Sequence, residues 1–293
     1  MGDFEEKRAH PLAPLTSWKI GGIAERFYCP PDLVSLVNYL QSDEETPVSW
    51  LGLGSNVLIR DGGIKGRVIW TRRLQHVEQQ QSGLMWAEAG LACAKFARFC
   101  TQAGFGQAAF FAGIPGTIGG ALTMNAGAFG GQTWEWVARV KVINQQGAVF
   151  FRLPSDYEVS YRSVRGKFPE QSKEAFIGAE FLFPELCEKG EQTIRALLQK
   201  RAQTQPIGTW NCGSVYRNPP GDFAARLIEA CALKGQRIGD AMISPKHANF
   251  IINCGKARAQ EVETLMALIE KRVKEQWGVI LQPEVKILGQ KEE

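Results

Sequence analysis

Two glycine-rich segments carry the clearest chemistry in this chain. The first, Gly52-Leu53-Gly54-Ser55-Asn56, follows a short apolar run that reads as a strand. Successive backbone N–H groups in such a turn form an anion-binding nest, and Ser55 and Asn56 add side-chain donors. A tight hairpin turn explains the same residues equally well, and the segment is neither a G-x-G-x-x-G fingerprint nor a P-loop. The second is Gly113-Ile114-Pro115-Gly116-Thr117-Ile118-Gly119-Gly120, followed by Met124-Asn125-Ala126-Gly127-Ala128. Its glycines permit positive φ and keep side chains clear of a flat ligand, and Pro115 stiffens the loop. A close backbone crossing inside a core would also use such residues. The length of the segment, its lack of charge and its many backbone donors favour a cofactor cradle.

Around that second segment, no charged residue occurs in the 36 positions from Phe99 to Trp134. By charge alone such a stretch can span a membrane. Nine of the 36 are glycine, and Pro115 and Asn125 interrupt the run, which argues against a continuous helix. The expectation is a loop system buried by protein or by a ligand.

The remaining reactive residues exclude several classes. Seven cysteines and three histidines occur in 293 residues, with no C-x-x-C pair, so neither a disulfide framework nor a metal site is expected. His10, His76 and His247 have no nucleophile motif around them. A net charge of +4 with scattered basic residues is no nucleic-acid signature and is compatible with a small anionic ligand. The opening MGDFEEKRAHPL has no apolar core and reads as neither a signal peptide nor a myristoylation site. The expected location is cytoplasmic, with no membrane or nucleic-acid partner.

The elements that must position these residues follow from pattern. Asp32 caps a helix with Leu33, Leu36, Val37 and Leu40 on one face. Strands are expected at Val48–Leu51, Val57–Ile59 and Arg67–Trp70, with a turn at Asp61-Gly62-Gly63. A helix from about Leu91 to Ala103 stops at Gly104. Strands follow near Val137–Ile143, Ala148–Leu153 and Ala175–Phe183. A polar helical bridge over Leu186–Gln205 and a helix over Asp222–Leu233 come next. Then come a strand at Phe250–Asn253, an amphipathic helix over Ala259–Trp277 and a last strand over Val279–Leu288. The class is α+β, in at least two domains.

At this point the chain resembles a known family. Leu15-Thr16-Ser17-Trp18-Lys19-Ile20-Gly21-Gly22, the two glycine segments, Tyr161-Arg162, Gly213-Ser214-Val215-Tyr216-Arg217-Asn218-Pro219, Lys246-His247-Ala248-Asn249-Phe250 and Gln282-Pro283-Glu284-Val285 are similar to motifs of the UDP-N-acetylenolpyruvoylglucosamine reductases, in the shorter, type II form. The resemblance covers about residues 15 to 289 and implies an FAD-binding module of the vanillyl-alcohol-oxidase type plus a smaller α/β substrate-binding domain. Residues 1–185, as subdomains of about 1–70 and 71–185, would bind FAD. Residues 186–293 would bind substrate, with the strand near 279–289 reaching the active site. The implied reaction is the NADPH-dependent reduction of an enolpyruvyl ether to lactyl, yielding UDP-N-acetylmuramate for peptidoglycan, hence cell-wall growth, cell shape and division.

The resemblance also implies site roles. Gly52, Gly54, Ser55, Asn56, Gly113, Ile114, Pro115, Gly116, Thr117, Gly119, Gly120, Asn125 and Ala126 would hold FAD. Tyr161, Arg217, Asn218 and Lys234 would bind the UDP-sugar, with Lys246 and His247 as weaker candidates. Arg162 would hold the substrate carboxylate and stabilise the enolate, and Ser214 would deliver the proton. Glu284 would orient Arg162 or act as a protonated or water-linked donor. Without the resemblance, these three residues read as a surface arginine, a turn serine and an edge charge. Arg217 stands where the family usually has Lys, and Trp18 where Phe or Thr is commoner. An FAD-linked oxidase would keep the glycine segments without needing Arg162, Ser214 and Glu284. A nucleotide-sugar sensor would need neither turnover nor these three.

Overall fold

The computed structural model of the protein describes residues 5–184, 186 and 190–292. The Met-Gly start and Cys187 lie outside these residues. The chain forms two compact units. The first comprises Phe27–Leu53 and Arg67–Lys200, with the residues up to Lys7; the second comprises Arg8–Arg26, Gly54–Gly66 and the chain from Arg201 onward. Contacts therefore divide the chain at Lys200/Arg201, not at 185/186. They also assign two N-terminal segments to the unit containing the C-terminus. The physical reason for the later boundary lies in the helix Gly190–Thr204, whose Ile194 is buried in the first unit's apolar core.

An antiparallel sheet of five strands organises the first unit. Its spatial order is Val149–Arg152, Val137–Ile143, Ala175–Leu182, Leu84–Glu88, Val77–Gln79. The period of two sends Val140, Val142, Ala179, Phe181, Met85 and Ala87 to the covered face. Against that face lies the helix Cys93–Gln102, with Phe96, Ala97 and Cys100 buried. Phe96 meets Phe111 edge-on at 5.1 Å and Phe181 at 4.8 Å, a geometry aromatic rings favour. The charge-free stretch is thus not all loop: it holds a 3-10 helix at Gly106–Gly113 and an α-helix at Ile118–Thr123. Their alanines and phenylalanines fill the core. Gly104, at φ +92°, ends the preceding helix as expected.

A second cluster of the same unit packs Leu36, Tyr39 and Leu40 of the helix Leu33–Gln41 against Tyr28, Ile69, Leu74, Ile143 and Ile177. Asp32 accepts from the Ser35 N–H at 2.8 Å, as its N-cap role requires. Val48–Leu51 pairs in parallel with Arg67–Trp70, the latter being the end of a longer strand that starts at Ile64.

The second unit contains an antiparallel sheet ordered Trp210–Asn211, Ile251–Asn253, Ala241–Ile243, Arg237–Ile238. The helix Ala259–Trp277 buries Val262, Leu265, Met266, Ile269 and Val273 in this unit's core. Trp277, expected on the same stripe, is 42% exposed with Arg226 over its ring. The helix N-terminus is capped from far away: the Asp61 carboxylate accepts from the N–H groups of Ala259 (3.0 Å) and Gln260 (3.1 Å). The turn that presents Asp61 needs Gly63, which has φ +76° and where a Cβ would lie 2.1 Å from the Ile23 carbonyl oxygen. Trp18 is fully buried and its indole N–H donates to Ile251 O at 2.7 Å.

Two expected elements of this unit are shorter. The helix over 222–233 spans Ala224–Ala230. Of the strand over 279–288, only Lys286–Leu288 is regular, and it runs parallel to Val57–Ile59. Pro283 interrupts the rest, since it has no N–H to give a ladder.

Candidate active site

In the first unit, the second glycine segment lies along Ala89–Cys93. The Cys93 N–H donates to Gly116 O, Ile118 N–H to Leu91 O and Gly119 N–H to Ala89 O, each at 2.9 Å. Gly113, Gly116, Gly119 and Gly120 are not among the left-handed glycines, so the positive φ that glycine permits is not used in this segment. Two of them serve close approach instead. A Cβ on Gly119 would lie 2.9 Å from Ala89 Cβ, and one on Gly113 would lie 2.3 Å from the Phe129 ring. The close packing that these residues allow is therefore realised at Gly113 and Gly119.

Thr117 is the polar group left over. It is 1% exposed, and its Oγ1 has no hydrogen-bond partner among the described residues. A Cβ on Gly52 would lie 2.6 Å from that oxygen, so the glycine keeps its approach clear. A buried hydroxyl without a partner is costly. A diphosphate oxygen is a fitting partner for it, and with no charge from Phe99 to Trp134 hydrogen-bond donors rather than cations would hold that diphosphate here. The residues present fit FAD on this test.

Asn125 and Arg162 form the second cluster of the first unit. Asn125 is buried at φ +44°. Its Nδ2 donates to Gln132 Oε1 (2.8 Å) and Ser160 O (3.3 Å), and its Oδ1 accepts from the Trp134 N–H (3.1 Å). Both amide hydrogens of Asn125 are thus spent on the protein. Arg162 sits at the tip of the hairpin Tyr157–Ser160/Ser163–Gly166, at φ +55°. An arginine in this conformation is strained, and such strain persists where a side chain must be aimed. Its guanidinium donates to Asn125 O (3.4 Å) and Gly127 O (3.2 Å) and lies over the exposed Tyr161 ring. Ala126 is buried, its carbonyl accepting from the Thr133 N–H and hydroxyl.

In the second unit, Gly54 (φ +66°) closes the first glycine turn, where a Cβ would strike Leu15 O at 2.3 Å. Asn56 directs its Nδ2 to Glu284 O (3.1 Å), and its carbonyl accepts from Lys286 N–H (3.0 Å). The Glu284 segment pairs on its other side with the serine segment. Glu284 N–H donates to Val215 O (2.7 Å), Arg217 N–H donates to Gln282 O (2.9 Å), and Tyr216 bridges Pro283. Ser214 and Glu284, 70 positions apart in sequence, therefore stand on adjacent antiparallel segments, both half-buried. Burial, with the Glu284 charge nearby, pushes the buried Cys212 thiol well up from its ordinary value.

The expected sugar-nucleotide residues of this unit divide. Arg217 Nε and His247 Nδ1 are buried without hydrogen-bond partners among the described residues. Burial lowers the His247 pKa, and the Lys234 charge lowers it further while Glu229 opposes. Its ring stands edge-on to Phe250 at 4.6 Å. Lys234 Nζ is paired with Glu229 at 2.6 Å, Lys246 Nζ donates to Ala202 O, and Asn218 Oδ1 accepts from Ala224 N–H. Sequence reading missed Asp61 as a helix cap and gave Asn249 no role, although it named the motif containing it. Among the described residues there is no cluster of three or more potential metal ligands, and no helix is long and apolar enough to cross a membrane.

Comparison with known proteins bears on both units. Residues 30–151 match the model of an FAD binding domain, and residues 205–288 match that of the UDP-N-acetylenolpyruvoylglucosamine reductase C-terminal domain. The chain is 53% identical to a UDP-N-acetylenolpyruvoylglucosamine reductase of Methylococcus capsulatus, over 96% of this chain and 92% of that one. It is 49% identical to one from Coxiella burnetii, over 96% and 94%. The crystal structure of the Thermus caldophilus enzyme superposes with a TM-score of 0.81 at 29% identity, covering 98% and 99%.

Proposed function

The chain belongs to the UDP-N-acetylenolpyruvoylglucosamine reductase family, with an FAD-binding domain, and on that premise we propose that it reduces the enolpyruvyl ether of UDP-N-acetylenolpyruvoylglucosamine with NADPH as donor and Ser214 as proton source. It does so in the cytoplasm, as a step of peptidoglycan precursor synthesis. Bound FAD supplies the hydride that adds to the vinylic CH2. Gly52, Thr117 and the second glycine segment would hold that group.

The protein's own residues handle charge and the proton. As the CH2 becomes CH3, an electron pair builds on the neighbouring carbon and spreads into its carboxylate. Arg162 holds that carboxylate and stabilises the charge. Ser214 gives its proton to the carbon, completing CH3–CH. A serine hydroxyl is a weak acid, so its alkoxide must be stabilised, for which the Arg217 charge is suited, and its proton replaced at once, for which water is suited. Glu284, as an anion, would oppose the growing charge; protonated, or through water, it carries the replacement proton. Arg217 and His247 offer unpartnered nitrogens to diphosphate and uridine, and Tyr161, Asn218 and Lys234 complete the substrate-binding set. The chain up to Lys200 chiefly serves the cofactor and the chain from Arg201 onward the sugar nucleotide.

The observation that carries this reading is the pairing of the Ser214 and Glu284 segments, which brings a hydroxyl and a carboxylate onto neighbouring strands. Ser214→Ala tests it by separating the half-reactions. Reduction of the flavin by NADPH should persist, while reoxidation by the UDP-sugar slows by a factor of about 10²–10⁴. Normal reoxidation with impaired reduction would remove Ser214 from the proton step.

A further inference from the structure

We infer that Asn249 is a positioning residue for Ser214, clamping the backbone of Val215 and Tyr216 so that the serine hydroxyl is held in register for proton delivery. This rests on the role proposed above for Ser214.

Tyr216 lies opposite Pro283 across the antiparallel pairing, flanked by the Glu284-to-Val215 and Arg217-to-Gln282 hydrogen bonds. At such a non-hydrogen-bonded position the residue's own N–H and C=O point away from the partner strand. Asn249 meets both. Its Oδ1 accepts the Tyr216 N–H at 2.9 Å and its Nδ2 donates to Tyr216 O at 2.8 Å. Its backbone carbonyl accepts the Val215 N–H at 2.9 Å. One asparagine thus reproduces three bonds of a missing strand. Asn249 is 4% exposed and Tyr216 1%, so water is a poor substitute on either side. The Tyr216 hydroxyl adds a distant anchor at Met266 O, 2.9 Å away.

The two neighbours of Ser214 are held by different residues. Val215 has both backbone groups committed, its N–H to Asn249 and its C=O to Glu284. Gly213, on the other side, has φ +82° and open space where a side chain would be, and its N–H donates to Asn211 Oδ1 at 2.9 Å. On the C-terminal side of the serine, the hold runs through Asn249. Loss of Asn249 would leave Ser214 between a glycine hinge and a half-paired strand. A displacement of about 1 Å at a reacting group can cost roughly 100-fold in rate.

The test is a double-mutant cycle on the FAD-loaded protein, following the two half-reactions by flavin absorbance, with amide hydrogen exchange as a second readout. Asn249→Ala should slow reoxidation by the UDP-sugar roughly 100-fold and leave flavin reduction by NADPH within about twofold. Exchange at the Val215 and Tyr216 amides should accelerate. In a Ser214→Ala background, adding Asn249→Ala should cost little more, because its effect runs through the serine. If the alanine variant does not fold, Asn249→Asp keeps the acceptor for Tyr216 N–H and loses the donor to Tyr216 O, and should give a smaller loss with the same non-additivity. An equal cost with and without Ser214, or equal slowing of both half-reactions, would overturn the inference. If Ser214→Ala alone reoxidises at the normal rate, the reading of Ser214 itself fails, and the cycle shows that separately.

Discussion

The cofactor segment of the first unit and the serine–glutamate pairing of the second are built by opposite means. Around Thr117 the site is made by removing atoms: Gly52 leaves out the Cβ that would sit 2.6 Å from the threonine oxygen, and that oxygen has no partner among the described residues. Around Ser214 the site is made by adding bonds, with Asn56, Asn249, Glu284 and Arg217 all hydrogen-bonded into adjoining backbone. The first arrangement leaves a polar need that only a ligand meets. The second fixes geometry before any ligand arrives. Affinity and stability should therefore separate in the first unit and move together in the second.

The largest effect expected for the first unit tests a place where it also spends side-chain bonds. Arg162→Ala should lower the rate of reoxidation by the UDP-sugar by a factor of about 10²–10³, with reduction by NADPH preserved. Single-turnover absorbance separates the two, and normal reoxidation would break the assignment. Next, Thr117→Val should weaken FAD binding about ten- to hundredfold, from the loss of a hydrogen bond to a charged group. Because the hydroxyl has no protein partner, the apoprotein's thermal midpoint should hold or rise. A lower midpoint with unchanged FAD affinity would reverse the contrast.

Asn56→Ala is the counterpart in the second unit. It removes the bond to Glu284 O and should cost about 1 kcal/mol, seen as a midpoint lower by roughly 2–4 °C together with slower reoxidation. Either change without the other would separate what the comparison joins. The smallest effect concerns pH. Burial depresses the pKa of His247 below its ordinary 6.5, so on acidification the unfolded chain takes up this proton first. The resulting stability is fully present above about pH 6.5 and is lost as pH falls through the lower folded value. His247→Asn should flatten that part of the midpoint-versus-pH curve, measured from pH 7.5 to 5, and an unchanged slope would assign it elsewhere.

Local pattern made much of the scaffold legible. The helix Ala259–Trp277 and the strands Val48–Leu51, Val57–Ile59 and Val137–Ile143 lie where sequence reading expects them, because apolar spacing and glycine or proline boundaries mark them. What was not legible depends on distant partners. Asp61 caps a helix 198 positions away, and nothing local distinguishes it from a turn aspartate. The last strand looked continuous through Pro283, yet only three residues of it are regular. Of the site, the glycine segments were visible as types and spacing, but whether they serve positive φ or close approach depends on what packs against them. Asn125 was read as a ligand contact; that its side chain also holds the hairpin carrying Arg162 was not legible. Asn249 was visible only as a member of a motif, since its partners Val215 and Tyr216 lie more than 30 positions away.

The central claim is tested most directly by an anaerobic absorbance titration of the purified protein, with NADPH added first and UDP-N-acetylenolpyruvoylglucosamine second. The account predicts a yellow protein that bleaches with NADPH and regains its colour with the UDP-sugar. A protein that bleaches and stays bleached would contradict the proposed acceptor, and one that is colourless and takes up no FAD would contradict the cofactor cradle itself.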